Sequence, residues 1–164
     1  MSLKLYLMRH AQSADKQPSQ ADKERELTAE GMRQSLQIGA YLHTEKFFFD
    51  LFLSSTAIRA KATSEFVLEA LKISSENIQF EEEIYNASAR TLFAHVLNID
   101  NKVTSAILVG HNPSITYLAE YLTKKEIGDM VPAGLAIIHF ENKSWSEIQE
   151  GSGELVRYIY PELL

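Results

Sequence analysis

The sequence predicts a three-layer α/β/α sandwich with a mostly parallel central sheet and an antiparallel edge strand near its C-terminus. Three observations carry that expectation. Short apolar runs alternate with segments of helical periodicity along most of the chain, the pattern of parallel strands joined by crossover helices. One run, "SAILVG" at residues 105 to 110, is apolar almost throughout, as a strand covered on both faces must be. The last two runs, Ala136 to Phe140 and Leu155 to Tyr160, are separated by the turn-prone "ENKSWSEIQEGSG" instead of a helical pattern, which suits antiparallel neighbours.

Leu3 to Met8 reads as the first buried strand, and Gln17 to Glu26 as a polar loop containing proline. Thr28 is the candidate N-cap of a helix whose apolar residues Met32, Leu36 and Ala40 recur at spacings of four, one face of an α-helix. "FFFDLFLSS" ends in a second strand, Leu51 to Ser54, with Phe47 to Phe49 expected in the core. A helix follows from about Ala57, its pairs Ala62/Thr63, Phe66/Val67 and Ala70/Leu71 repeating once per turn. Ile78 to Phe80 is a short strand candidate, and Leu92, Phe93, Val96 and Leu97 mark another helix. After "SAILVG", Asn112 and Pro113 read as a helix start, with Asn as cap and Pro at the first helical position. No repeat, low-complexity tract or linker interrupts the chain, so residues 1 to 164 are expected to form one domain.

Hydrophobic residues make up 45 % and charged residues 23 % of the sequence, the balance of a soluble globular protein. A formal net charge of -6 argues against a broad nucleic-acid surface, which needs clustered Lys and Arg to displace counterions. There is no Cys, which excludes disulfides, thiolate metal sites and cysteine catalysis. No apolar stretch approaches the roughly 18 to 20 residues of a membrane span. The expectation is a soluble, cytoplasmic protein with no nucleic-acid or membrane partner.

Three strand ends carry similar polar residues. The first strand runs into Arg9 and His10, the second into Ser54, Ser55, Thr56 and then Arg59, and the "AILVG" strand into His111, Asn112 and Pro113. In an open α/β sheet the carboxyl ends of parallel strands share one edge, where ligands bind. Two Arg and two His should therefore meet in one crevice, a grouping that suits an oxyanion: guanidinium forks and helix N-termini both favour phosphate. A neutral imidazole there can attack phosphorus through one ring nitrogen while the other donates to a carbonyl. His10 and His111 lack a third partner at metal-ligand spacing, so neither metal nor cofactor is expected, and His43, His95 and His139 read as structural or exposed.

"LMRHA" at residues 7 to 11, "SSTAIRAKATSEF", "LVGHNPSI" and the loop "DKERELTAEG" at residues 22 to 31 together resemble the histidine phosphatase superfamily (phosphoglycerate mutase-like), most of all its SixA-type phosphohistidine phosphatase branch. That resemblance implies that His10 is the phosphorylated nucleophile and that Arg9, Arg59 and His111 hold the phosphoryl oxygens. It places Ser13 and Arg25 near the phosphate or the near side of the substrate, with Asn112 capping its helix and steadying His111. Many members carry a Glu after the third strand that protonates the leaving group. Here "FEEEIYNAS" offers Glu81, Glu82 and Glu83. Strand alternation separates Glu82 from the other two; Glu82 stands as the candidate acid, with a solvated charge run as the alternative. Tyr85 and Asn86 either line the mouth of the crevice or form a turn on the sheet.

The implied activity is hydrolysis through a covalent phosphohistidine, on a phosphorylated protein or a small phosphorylated substrate. Two rivals remain: a small-metabolite or nucleotide phosphatase of the same chemistry, and a non-catalytic phosphate-binding module. Oligomeric state is not legible in the sequence.

Overall fold

The computed structural model describes residues 2–164. Six strands form one sheet: β1 (Ser2–Arg9), β2 (Leu51–Ser55), β3 (Ile78–Glu81), β4 (Ser105–Gly110), β5 (Leu135–Glu141) and β6 (Glu154–Ile159). Their order is β3-β2-β4-β1-β5-β6. The first four are parallel neighbours, whereas β5 runs antiparallel to β1 and β6 antiparallel to β5. The antiparallel part is thus two strands wide. The connection between β5 and β6, residues 142–153, holds a 3-10 turn, Trp145–Glu147, and no crossover helix, so the two strands pair antiparallel.

Five helices flank the sheet: α1 (Ala29–Thr44), α2 (Ile58–Leu71), α3 (Glu82–Tyr85), α4 (Ala89–Leu97) and α5 (Ser114–Thr123). Alternation along β1 divides its side chains between two cores. Leu3, Leu5 and Leu7 pack with Leu92 and Val96 of α4 and Leu118 and Leu122 of α5. Tyr6 and Met8 face the other way, toward Ile38 and Leu42 of α1 and Val67 and Leu68 of α2. β4 is buried at every position, as its unbroken apolar run requires.

The periodic face expected for α1 is the wrong one. Met32, Leu36 and Ala40 are exposed, Met32 by 41 %, and the buried face is Gly31, Gln34, Ser35, Ile38, Gly39 and Leu42. Small residues at this face let α1 approach α2 closely. A Cβ on Gly39 would lie 2.5 Å from the Val67 carbonyl oxygen and 2.7 Å from the Ala70 Cβ, and one on Gly31 would strike the Gln12 carbonyl. Gly39→Ala should therefore destabilise the protein by about 1–3 kcal/mol through overpacking, although alanine is the better helix former by about 1 kcal/mol. Urea unfolding of the two proteins measures the difference. Thr28 does cap α1, its hydroxyl accepting from the Gly31 N–H at 2.9 Å. Of Phe47 to Phe49, the middle ring is 70 % exposed while its neighbours pack against the α1–α2 core.

Candidate active site

The carboxyl ends of β1, β2 and β4 lie side by side and each delivers part of one site. Arg9 closes β1 and His10 follows it; Ser55 closes β2, with Arg59 in the first turn of α2; Gly110 closes β4, and His111 follows. Arg9 stands opposite Gly110 in the β1–β4 register, and the His10 N–H donates to the Gly110 carbonyl at 3.1 Å. The two imidazoles emerge as neighbours, ring centroids 5.0 Å apart. Around them opens a cavity of about 390 Å³ lined by Arg9, His10, Ser13, Arg25, Arg59, His111 and Asn112, together with Asp22, Tyr85 and Asn86.

Hydrogen bonding sets the His10 tautomer. Its Nδ1 lies 2.8 Å from the Ala11 carbonyl. A carbonyl only accepts, so Nδ1 carries the proton and Nε2 keeps its lone pair. Arg59 Nε donates toward that Nε2 at 3.3 Å. Burial, then the neighbouring His111, Arg59 and Arg9, lower the His10 pKa to about 3. Burial and Arg59 lower that of His111 to about 4. Both rings are neutral at pH 7.

The sign of the pH effect follows. In the unfolded chain a histidine takes up its proton near pH 6.5, whereas these two in the folded chain resist it until about pH 3 or 4. The unfolded state binds more protons in between, so their contribution to stability is present above about pH 6.5 and is lost as pH falls toward 4. Proton–nitrogen imidazole spectra should show neither ring titrating between about pH 8 and 5, and a His10 midpoint near 6.5 would refute the burial argument.

One hydroxyl couples the end of β1 to α2: Thr63 Oγ1 accepts from the Ala11 N–H at 3.0 Å and donates to the Arg59 carbonyl at 2.7 Å. Ser55 Oγ accepts from the Ala57 N–H and lies 2.8 Å from His111 Nε2. Arg9 donates through Nη1 to the Met130 carbonyl at 2.7 Å, while its buried Nε has no protein acceptor.

Asp22 lines the cavity and was missed from sequence. Its Oδ2 accepts from Tyr85 Oη at 2.6 Å and Arg59 Nη2 at 3.0 Å, and its Oδ1 from Arg25 Nη1 at 3.1 Å. Its backbone carbonyl takes Arg59 Nη1 at 2.8 Å. The Tyr85 hydroxyl, with Arg25 and Arg59, holds the carboxyl well below the usual carboxylate range. The available signal was the acid three residues before Arg25 in "DKER", a spacing at which side chains meet. Arg25 also donates to Ser13 Oγ at 2.7 Å and to the Ala14 carbonyl at 3.0 Å.

The expected residues come together except Glu82, which is absent from the cavity lining. β3 ends at Glu81 and the chain turns into α3 at Glu82, so strand alternation does not apply there. The exposed Glu82 carboxylate accepts from Thr56 Oγ1 at 2.6 Å and pairs with Lys23. Glu81 accepts from Gln79 and Glu83 lies 3.8 Å from His95. Asn112 needs a second correction. α5 begins at Ser114, Pro113 precedes it, and no side chain caps its backbone. The Asn112 Oδ1 instead accepts from the Thr116 hydroxyl one turn on.

Residues 5–90 match the family model of the histidine phosphatase superfamily (branch 1). The chain belongs to that superfamily. As a member it is a phosphatase whose nucleophile is a histidine. An uncharacterized protein of Mycobacterium leprae is 29 % identical over 94 % of this chain and 99 % of its own length. Among solved structures of the superfamily, a candidate phosphohistidine phosphatase SixA from Agrobacterium tumefaciens is 26 % identical, with a TM-score of 0.83 over 97 % of this chain and 98 % of that one. The protein histidine phosphatase SixA complexed with tungstate shares the fold at a TM-score of 0.82, 23 % identical over 98 % of this chain and 99 % of that one. Among the described residues no helix is long and apolar enough to cross a membrane.

Proposed function

We propose that this phosphatase removes the phosphoryl group from phosphohistidine in proteins, as the name of its SixA relative describes, with His10 as nucleophile. The observation that carries the substrate class is the state of the cavity's carboxylate. Among the described lining residues Asp22 alone is acidic, and Arg25, Arg59 and Tyr85 keep it ionised. Glu82 lies outside. No carboxyl group stands ready to protonate a leaving oxygen, as a sugar or alkyl ester demands. A phosphoryl group on imidazole nitrogen is labile enough to leave without one.

In this reading the His10 Nε2 lone pair forms a bond to phosphorus as the bond from phosphorus to the substrate nitrogen breaks. That nitrogen keeps the electron pair, and the substrate imidazole, protonated on its other nitrogen, departs neutral. Arg9, Arg59 and His111 hold the phosphoryl oxygens. Asp22 holds the Arg59 fork so that its Nε faces His10, Arg25, itself bonded to Ser13, braces Asp22, and Asn112 supports the His111 turn through Thr116. Water then attacks the phosphohistidine, its proton passes to the departing inorganic phosphate, and His10 is restored.

Phosphate release from a phosphohistidine peptide, beside a panel of alkyl, sugar and nucleotide phosphates, tests the reading. Preference for the peptide is expected. Preference for an ester would move the activity to metabolites, and stoichiometric binding of all of them without release would leave a phosphate-binding module.

A further inference from the structure

A second hollow of about 320 Å³, lined by Ala89, Arg90, Phe93, Tyr117, Leu118 and Tyr121, lies between α4 and α5. It adjoins the catalytic cavity, because α4 and α5 both begin beside that cavity's wall. Ala87 and Ser114 line the catalytic cavity, and the Ser114 hydroxyl donates to the Ala87 carbonyl at 2.6 Å, tying the two helix starts together. From that tie Tyr117 lies about 4.5 Å and Tyr121 about 10 Å along α5 at 1.5 Å per residue. The hollow therefore covers the span that about one turn of a bound helix would occupy beside the cavity mouth.

Its surface is built for contact. Tyr117 is 57 % exposed, Tyr121 is exposed and packs edge-on against Phe93 at a centroid distance of 5.3 Å, and Leu118 forms the floor. Exposed aromatic rings beside an Arg are the composition of binding hot spots. Arg90 is exposed at the rim and makes no ion pair with any described residue, which leaves a cation for an acidic partner residue.

We propose that this groove docks the helical segment flanking the phosphohistidine of the protein substrate, taking one or two apolar side chains between Phe93, Tyr117 and Tyr121 and a carboxylate against Arg90. The inference rests on the phosphohistidine reading above and extends it: the groove, not the cavity, separates a protein substrate from a free phosphoimidazole. Tyr117 and Arg90 belong to neither the phosphate clamp nor the core, so changing them leaves the chemistry in place.

The test uses three substrates: free phosphohistidine, a helical peptide with phosphohistidine flanked on both sides by leucines at one and two turns and by glutamates, and the same peptide with serines at those positions. Wild type should show a KM for the leucine peptide about tenfold below that for the serine peptide. Tyr117→Ser and Arg90→Glu should each raise the leucine-peptide KM with kcat unchanged, and neither should alter turnover of free phosphohistidine. Equal KM for both peptides in all three proteins would overturn the groove while leaving the phosphohistidine reading intact. Self-association of wild type that is lost in Tyr117→Ser would reassign the groove to a second copy and overturn it too. Turnover of esters but of no phosphohistidine would sink both.

Discussion

His10→Ala should lose phosphate release entirely within assay limits, a fall of about 10⁴-fold or more in kcat/KM, as expected when a covalent nucleophile is deleted. The protein should still fold. His10 sits just beyond the end of β1, its ring held by its own neighbour's carbonyl and not by the sheet ladder. The variant should also be less acid-sensitive than wild type, because it removes a buried neutral imidazole whose pKa is about 3. That group takes up a proton on unfolding anywhere between there and about pH 6.5. Steady-state kinetics beside thermal melts at two pH values separate the chemical loss from the folding effect. Residual turnover above a hundredth of wild type would exclude His10 as the nucleophile.

Arg59→Lys should cost about 10²–10³-fold in kcat, the scale of losing an oriented donor to a developing oxyanion. Charge is conserved in this change and geometry is not. The Arg59 fork uses Nη1 and Nη2 for Asp22 while Nε faces His10, and an ammonium group cannot hold that division. The substitution also leaves the Asp22 carboxylate with Arg25 and Tyr85 alone. If lysine supported near-normal turnover, Arg59 would be acting only as a diffuse positive charge. An Asp22→Asn control should raise the Ki of inorganic phosphate by a smaller factor than it lowers kcat, since Asp22 orients the fork and does not touch the oxyanion in the proposed mechanism.

The strand ends were legible because an apolar run that stops on Arg-His or Gly-His is a sharp local signal, and parallel topology then brings distant stops to one edge. The α1 face was not legible, because Gly31, Ser35 and Gly39 pack by being small, and hydrophobic periodicity counts only what is greasy. Asp22 was hidden for a different reason: its partners Arg59 and Tyr85 lie on other elements, so nothing within its own loop marks it beyond the nearby Arg25. The acidic run misled because alternation assumes a strand, and β3 has already ended when Glu82 is reached.

The Thr63 hydroxyl gives the molecule an unexpected kind of fragility. A single oxygen atom sets the spacing between the segment that carries His10 and the helix that carries Arg59. That helix leans on α1 one turn further along, at the Val67–Gly39 contact. A wedge driven in at Gly39 would press on α2 one turn beyond Thr63 and so disturb the placement of Arg59 against His10. The seam between these two helices is therefore coupled to the site, and Gly39→Ala should show in turnover as well as in stability.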